Sequence, residues 1–169
     1  MHKYIGIDPS INHTGWAVVH DKKLIDSGVI KQKPKDGNAR YMGLFRSLRE
    51  KLQHVVGDRG EEYVAAIEQP TYENSDRGRQ AARAWSLVKL HGAFVACICA
   101  CHSIGVRTAY PTPSQWKRKF TGPKIRSRVN QLCPEKEDQW ESFDEVEAAA
   151  LCYWYRKRIS EEKELEVYG

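Results

Sequence analysis

No apolar run in this chain approaches the ~20 residues that a membrane span needs, so no transmembrane segment is expected. No secretory leader is expected either, since Met1-His2-Lys3 leads straight into strand-like sequence, and a cytosolic protein is the expectation. The paired CxxC spacing of zinc sites is also absent. Cys97, Cys99 and Cys101 alternate by two, which on a helix sends their side chains to different faces. Together with Cys133 and Cys152 they read as small buried hydrophobes with reduced thiols. A strong excess of one charge is lacking too, since 27 Lys and Arg stand against 22 Asp and Glu, a net of +5 over 169 residues. Such a mildly basic chain permits a polyanionic partner without requiring one. Its length suits one domain with a sizeable core.

What is present is organised around Tyr4 to Val19, YIGIDPSINHTGWAVV. A short apolar strand ends on Asp8, and Pro9 stops it at once. The chain resumes as a second strand from Thr14 to Val19, turns at 20–23, and continues as a third from Leu24 to Ile30, giving a three-strand meander. A carboxylate presented at a strand end suits a cation, although on this stretch alone a turn-capping role serves equally well. Apolar positions Tyr41, Leu44, Phe45, Leu48, Leu52 and Val55 predict a helix from Ala39 to Val56. Tyr63 to Ile67 is a continuous apolar strand, the kind buried on both faces of an α/β sheet. It delivers Glu68, and Gln69-Pro70 follows, repeating the first pattern of strand, acid and proline. Ligands of open α/β sheets gather at the carboxyl ends of strands, so Asp8 and Glu68 are expected side by side.

A polar loop at 71–78 precedes a long helix expected from Arg79 to Ile104. Its Ala and Gly residues suit close packing against the sheet, contact with a second subunit, or both. A fifth strand is expected from Val106 to Tyr110. The span from Ser114 to Arg128 then carries Lys117, Arg118, Lys119, Lys124, Arg126 and Arg128, with Trp116 and Phe120 interleaved and no acid among them. That favours phosphate contacts with nucleic acid over a merely solvated face. The last helix opens at Ser142-Phe143-Asp144-Glu145, a capping-box pattern with Ser142 as N-cap. Asp144 and Glu147 share one helical face that continues as Ala148, Leu151 and Tyr155. Two acids at the end of a core-facing stripe are costly without a partner, and a cation is an obvious one. Solvated acids favouring the helix N-terminus are the other reading of the pair.

Four carboxylates in this order, IGIDPSINHTGWAVV and AAIEQP followed by the basic segment and DEVEAAALCYW, resemble the RuvC Holliday-junction resolvases of the ribonuclease H-like superfamily, in a compact or phage-type form. The resemblance runs from about Tyr4 to Tyr155. It implies an α/β fold: a mixed sheet, the meander plus parallel strands, flanked by helices. The nuclease domain would span 1–156, with a charged tail over 157–169. It implies cleavage of four-way (Holliday) and other branched DNA junctions by paired symmetric nicks, with Mg2+ or Mn2+, two ions per site, held by Asp8, Glu68, Asp144 and Glu147. Asp8 would bridge the ions, Glu68 and Glu147 would hold opposite ones, and Asp144 would complete one site or steer the attacking water. It implies phosphate grip by Lys117 and its basic neighbours, a homodimer joined through the small-residue helix, and a bacterial or phage-infected host cytoplasm. Three departures stand out. Glu147 replaces the family's usual Asp. The junction-wedge aromatic falls on Thr71 or Tyr72. Arg126 takes the place of a second lysine after a shortened loop.

Three other readings remain. An RNA-processing nuclease of the YqgF type shares the fold, but this basic segment and fourth acid are not expected there. A sugar-kinase or actin-type phosphotransferase opens with a similar hairpin but needs two such domains. A non-catalytic junction binder gains nothing from clustered acids.

Overall fold

The structure is a computed structural model and describes residues 3–32, 37–71, 86–117 and 124–167. Its sheet is mixed and five-stranded, in the order β3-β2-β1-β4-β5. Strands β1 (Lys3–Asp8), β2 (His13–His20) and β3 (Lys23–Lys31) form the expected antiparallel meander. The β2–β3 turn is tight, and Asp21 takes a φ of 56°, which Asp tolerates better than most residues. Strand β4 (Tyr63–Ile67) pairs parallel with β1, and β5 (Arg107–Ala109) pairs parallel with β4. Helix α1 (Gly37–Val56) starts two residues before the expected Ala39, and β5 is shorter than the expected strand.

Alternation along the strands sorts two cores. Ile5, Ile7, Trp16, Val18, Ile30, Tyr63 and Ile67 face α1 and α2 (Ser86–His102). On α1 the buried stripe is Leu44, Leu48, Leu52 and Val56, close to the predicted one. The first residues of the expected long helix, 79–85, lie outside the described ones. Cys97 and Cys101 are buried in this core while Cys99 is exposed, which corrects the reading of all five cysteines as buried. The 3.6-residue period turns the middle cysteine outward.

The opposite face, with Tyr4, Ala17, Val19, Leu24 and Ala66, is covered by α5 (Phe143–Val167). Along the chain, a one-turn helix α3 (Pro113–Trp116) and α4 (Lys124–Leu132) come between α2 and α5, and both add to this core. Helix α4 was legible only as a basic segment, yet Ile125 and Val129, four apart, are its buried stripe. Trp116 is fully buried in the same core. It is interleaved with the basic residues in sequence, but its side chain belongs to the core.

Two glycines let α5 lie flush on the sheet. A Cβ on Gly6 would overlap the Ala148 carbonyl oxygen, and one on Gly15 would overlap the Asp144 carbonyl. The helix start is anchored by Glu145, which is fully buried. Its carboxylate accepts the Ser27 hydroxyl at 2.6 Å, the Lys136 ammonium at 3.1 Å and the Glu141 N–H at 2.7 Å. The Ser142 hydroxyl accepts the Glu145 N–H at 3.3 Å, as the capping pattern predicts, while the carboxylate reaches one residue beyond Ser142. Buried carboxylates are tolerated when paired and hydrogen-bonded in this way.

Gly15→Ala would force the first turn of α5 away from β2. The expected cost is ~1–3 kcal/mol, the range for overpacking, read as a lower urea midpoint at unchanged m-value. A midpoint equal to that of the wild type would contradict this account of the packing.

Candidate active site

Register alone brings the first two acids together. Gly6 lies beside Ala66 and Ile7 beside Ile67 in the parallel β1–β4 pair, and the Glu68 N–H continues the ladder by donating to the Ile7 carbonyl at 3.0 Å. Asp8 and Glu68 therefore leave adjacent strands at the same level. Gly6 and Ala66, two residues earlier in each strand, face α5, so period-two alternation puts both acids on the α5 face. On the other side of β1, Asp8 pairs with Gly15, the glycine that admits the Asp144 backbone. Asp144 thus begins its helix directly over the Asp8–Gly15 pair. One turn later comes Glu147.

Lys117 ties the cluster together. Its ammonium lies 3.2 Å from Glu68 Oε1 and 3.0 Å from Glu147 Oε1. The other oxygen of Glu68, Oε2, accepts the Trp116 indole N–H at 2.7 Å. Both partners come from α3 and the residue after it, which is fixed by local bonds. Gln115 Oε1 accepts the Thr112 N–H at 2.8 Å, and the Lys117 N–H donates to the Pro113 carbonyl at 2.8 Å. Gln69 N–H donates to the Pro111 carbonyl at 2.9 Å, stitching this turn to the residue after Glu68.

The electrostatics follow from crowding. Burial holds the Asp8 carboxyl well above the usual carboxylate range, and the charges of Glu68, Glu147 and, more weakly, Asp144 push it the same way, against Lys117. Burial also raises Glu68, with Lys117 partly offsetting it. For Lys117, burial disfavours the charged form, but Glu68, Glu147 and Asp8 outweigh burial and raise its pKa. Among the described residues, one ammonium beside four carboxylates leaves negative charge uncompensated.

All-oxygen carboxylate donors suit a hard divalent cation such as Mg2+ or Mn2+, and the raised Asp8 carboxyl marks the surplus charge that such an ion would neutralise. In their present positions, no three His, Cys, Asp or Glu side chains among the described residues enclose an ion. The cation seated here is the Lys117 ammonium, spanning Glu68 and Glu147.

The remaining predicted residues are dispersed. Lys124, Arg126 and Arg128 are exposed on α4. Tyr72, Arg118 and Lys119 lie outside the described residues, as does Phe120. Thr71, the other wedge candidate, is exposed three residues beyond Glu68. Sequence reasoning missed the Trp116–Glu68 bond and the Glu145 network. A tryptophan beside a basic residue gives no local sign that its N–H meets an acid 48 positions away.

A meander joined to parallel strands, with acids at the ends of the two central strands and on the helix across them, defines the ribonuclease H-like class. No family model matches the chain. It is 26% identical over 165 residues to the crossover junction endodeoxyribonuclease RuvC of Oleidesulfovibrio alaskensis, with 92% of each chain covered. It is 28% identical over 166 residues to that of Nitratidesulfovibrio vulgaris, again with 92% of each covered. A Thermus thermophilus RuvC structure in complex with a Holliday junction substrate superposes with a TM-score of 0.71 at 20% identity, covering 94% of this chain and 96% of that one. A second Thermus thermophilus RuvC structure gives 0.67 at 20% identity, covering 92% and 96%. Over nearly its whole length the chain is therefore similar to RuvC proteins, and it shares their fold.

The cluster predicts a pH dependence of stability. A carboxyl whose folded pKa is raised binds protons more tightly in the folded state. Stability is therefore fully present below the unfolded pKa of about 4 and declines as pH rises through the raised folded pKa. In EDTA, the urea midpoint should fall as pH rises from about 4 towards neutrality. Asp8→Asn should raise the midpoint at pH 7 and flatten that decline. An Asp8→Asn curve parallel to the wild-type one would show that Asp8 is not under this electrostatic strain.

Proposed function

We propose that this protein is a structure-selective endonuclease that cleaves four-way DNA junctions, and other branched junctions, by metal-dependent phosphodiester hydrolysis with paired symmetric nicks. The observation that carries this reading is the Lys117 ammonium joining Glu68 and Glu147 beside the buried Asp8 carboxyl, with Asp144 at the helix start above it. A binding surface for DNA would gain nothing from such clustered negative charge. The RuvC relatives are crossover junction endodeoxyribonucleases, and one solved RuvC chain holds a Holliday junction.

Asp8, Glu68, Asp144 and Glu147 would hold Mg2+ or Mn2+, two ions per active site. Bound divalent ions supply charge neutralisation of the anionic phosphoryl transition state and lower the pKa of attacking water. The protein's own part is positioning. Asp8 sits at the centre of the acid set, and Glu68 and Glu147 flank Lys117. The Lys117 side chain is 33% exposed, so its ammonium can reach a phosphate at the rim of the cluster. Lys124, Arg126 and Arg128 are exposed on one helix, α4, which suits contact with the DNA backbone; Arg118, Lys119 and the wedge at Tyr72 complete the proposed DNA surface. The nuclease domain takes in residues 1–156, with 157–169 a charged extension.

Two matched nicks in a two-fold junction call for two active sites, and so for a homodimer. Val88, Val95 and Cys99 are exposed along α2 at positions that recur on one helical face, which supports that helix as the meeting surface. No helix among the described residues is long and apolar enough to cross a membrane; action on DNA in the cytoplasm accords with that.

A labelled immobile four-way junction, tested beside linear duplex with Mg2+, Mn2+ or EDTA, checks the proposal. Paired symmetric nicks in the junction alone, dependent on metal, are expected. Asp8→Asn should lower the cleavage rate by at least about 10^3-fold, on the scale of losing a group that holds the catalytic ions, while metal-free junction binding is undiminished. Binding without cleavage under either metal would contradict the proposal, and a monomer at micromolar concentration in sedimentation would contradict the dimer.

A further inference from the structure

We propose that Trp116 is a positioning residue for Glu68: its indole N–H pins one carboxylate oxygen so that the other is held out to the cation at the acid cluster. The inference rests on the reading of this cluster as a metal-dependent nuclease site. Trp116 is fully buried, so its one polar atom cannot turn to water, and a buried donor left unpaired costs the full desolvation of that group. It donates to Glu68 Oε2 at 2.7 Å, while Oε1 meets the cation present here, the Lys117 ammonium, at 3.2 Å.

The two contacts to Glu68 differ in kind. The Lys117 ammonium ends a flexible four-carbon stem whose side chain is one-third exposed, and it can move away when another cation arrives. The indole cannot. It is packed in the core with Ala66, Ile125 and Val129. Its helix turn is closed by the bonds from Thr112 to Gln115 and from Lys117 to Pro113, and tied to the Glu68 strand end by the bond from Gln69 to Pro111. A rigid donor on one oxygen fixes the carboxylate plane, as hydrogen-bond partners of metal-ligating groups generally do. Without it, among the described residues, the flexible Lys117 alone would orient Glu68 at the end of β4.

Two variants separate this from packing. Trp116→Phe keeps an aromatic ring and removes the donor. Incorporation of benzothienylalanine at position 116 keeps the bicyclic volume and replaces the N–H by sulfur, and it decides the matter if Trp116→Phe fails to fold. Mn2+ binding is measured by calorimetry on folded, DNA-free protein, so the readout is independent of cleavage. Both folded variants should bind Mn2+ at least about tenfold more weakly than wild type, as expected for loss of a partner that orients a ligand. In 15N-tryptophan-labelled wild type, the indole signal that Trp116→Phe removes should shift on Mg2+ addition. Wild-type Mn2+ affinity retained within twofold in the benzothienylalanine protein would overturn the positioning role. Absence of Mn2+ binding by the wild type itself would instead overturn the functional reading, and the positioning role with it.

Discussion

The end of the sheet depends on the Lys117 ammonium. It stands 3.0 Å from Glu147 and 3.2 Å from Glu68, beside an Asp8 carboxyl that burial and its acidic neighbours have pushed well up. Like charges brought together out of water resist ionisation unless a cation separates them. A single ammonium serves four carboxylates only in part. Among the described residues the cluster thus holds more negative charge than its one ammonium offsets, which is the physical sense in which it suits a hard divalent ion.

That strain is created by backbone geometry. The in-register β1–β4 pair sets Asp8 and Glu68 level, and two glycines bring the helix backbone against the sheet so that Asp144 starts above Asp8. Glu145 then locks the helix start to β3 and to Lys136 through a fully buried network. It is an acid used for architecture, one residue from Asp144 and two from Glu147. Roles of neighbouring carboxylates are separated here by burial and partners, not by residue type.

The strands and the acids at their ends were legible because each pairs an apolar run with a proline stop, and a parallel partner makes such ends coincide. Tyr63–Ile67 fell where the apolar run predicted it. Ser142 was legible as a cap because capping is a local matter of three residues. What escaped was long-range. The Trp116 indole meets an acid from another strand, and Lys136 meets Glu145 across a turn; no periodicity records either contact. Helix α4 was hidden by its charge, although Ile125 and Val129 carried the spacing. The mildly basic composition permitted a polyanionic partner and said nothing of its shape.

The most direct test of the central claim is anomalous diffraction from crystals of the protein grown with Mn2+. The account predicts a manganese peak bound by Asp8 and Glu68, with the Lys117 ammonium displaced from its bridge between Glu68 and Glu147. No manganese at the cluster, with Lys117 still joining the two glutamates, would contradict it.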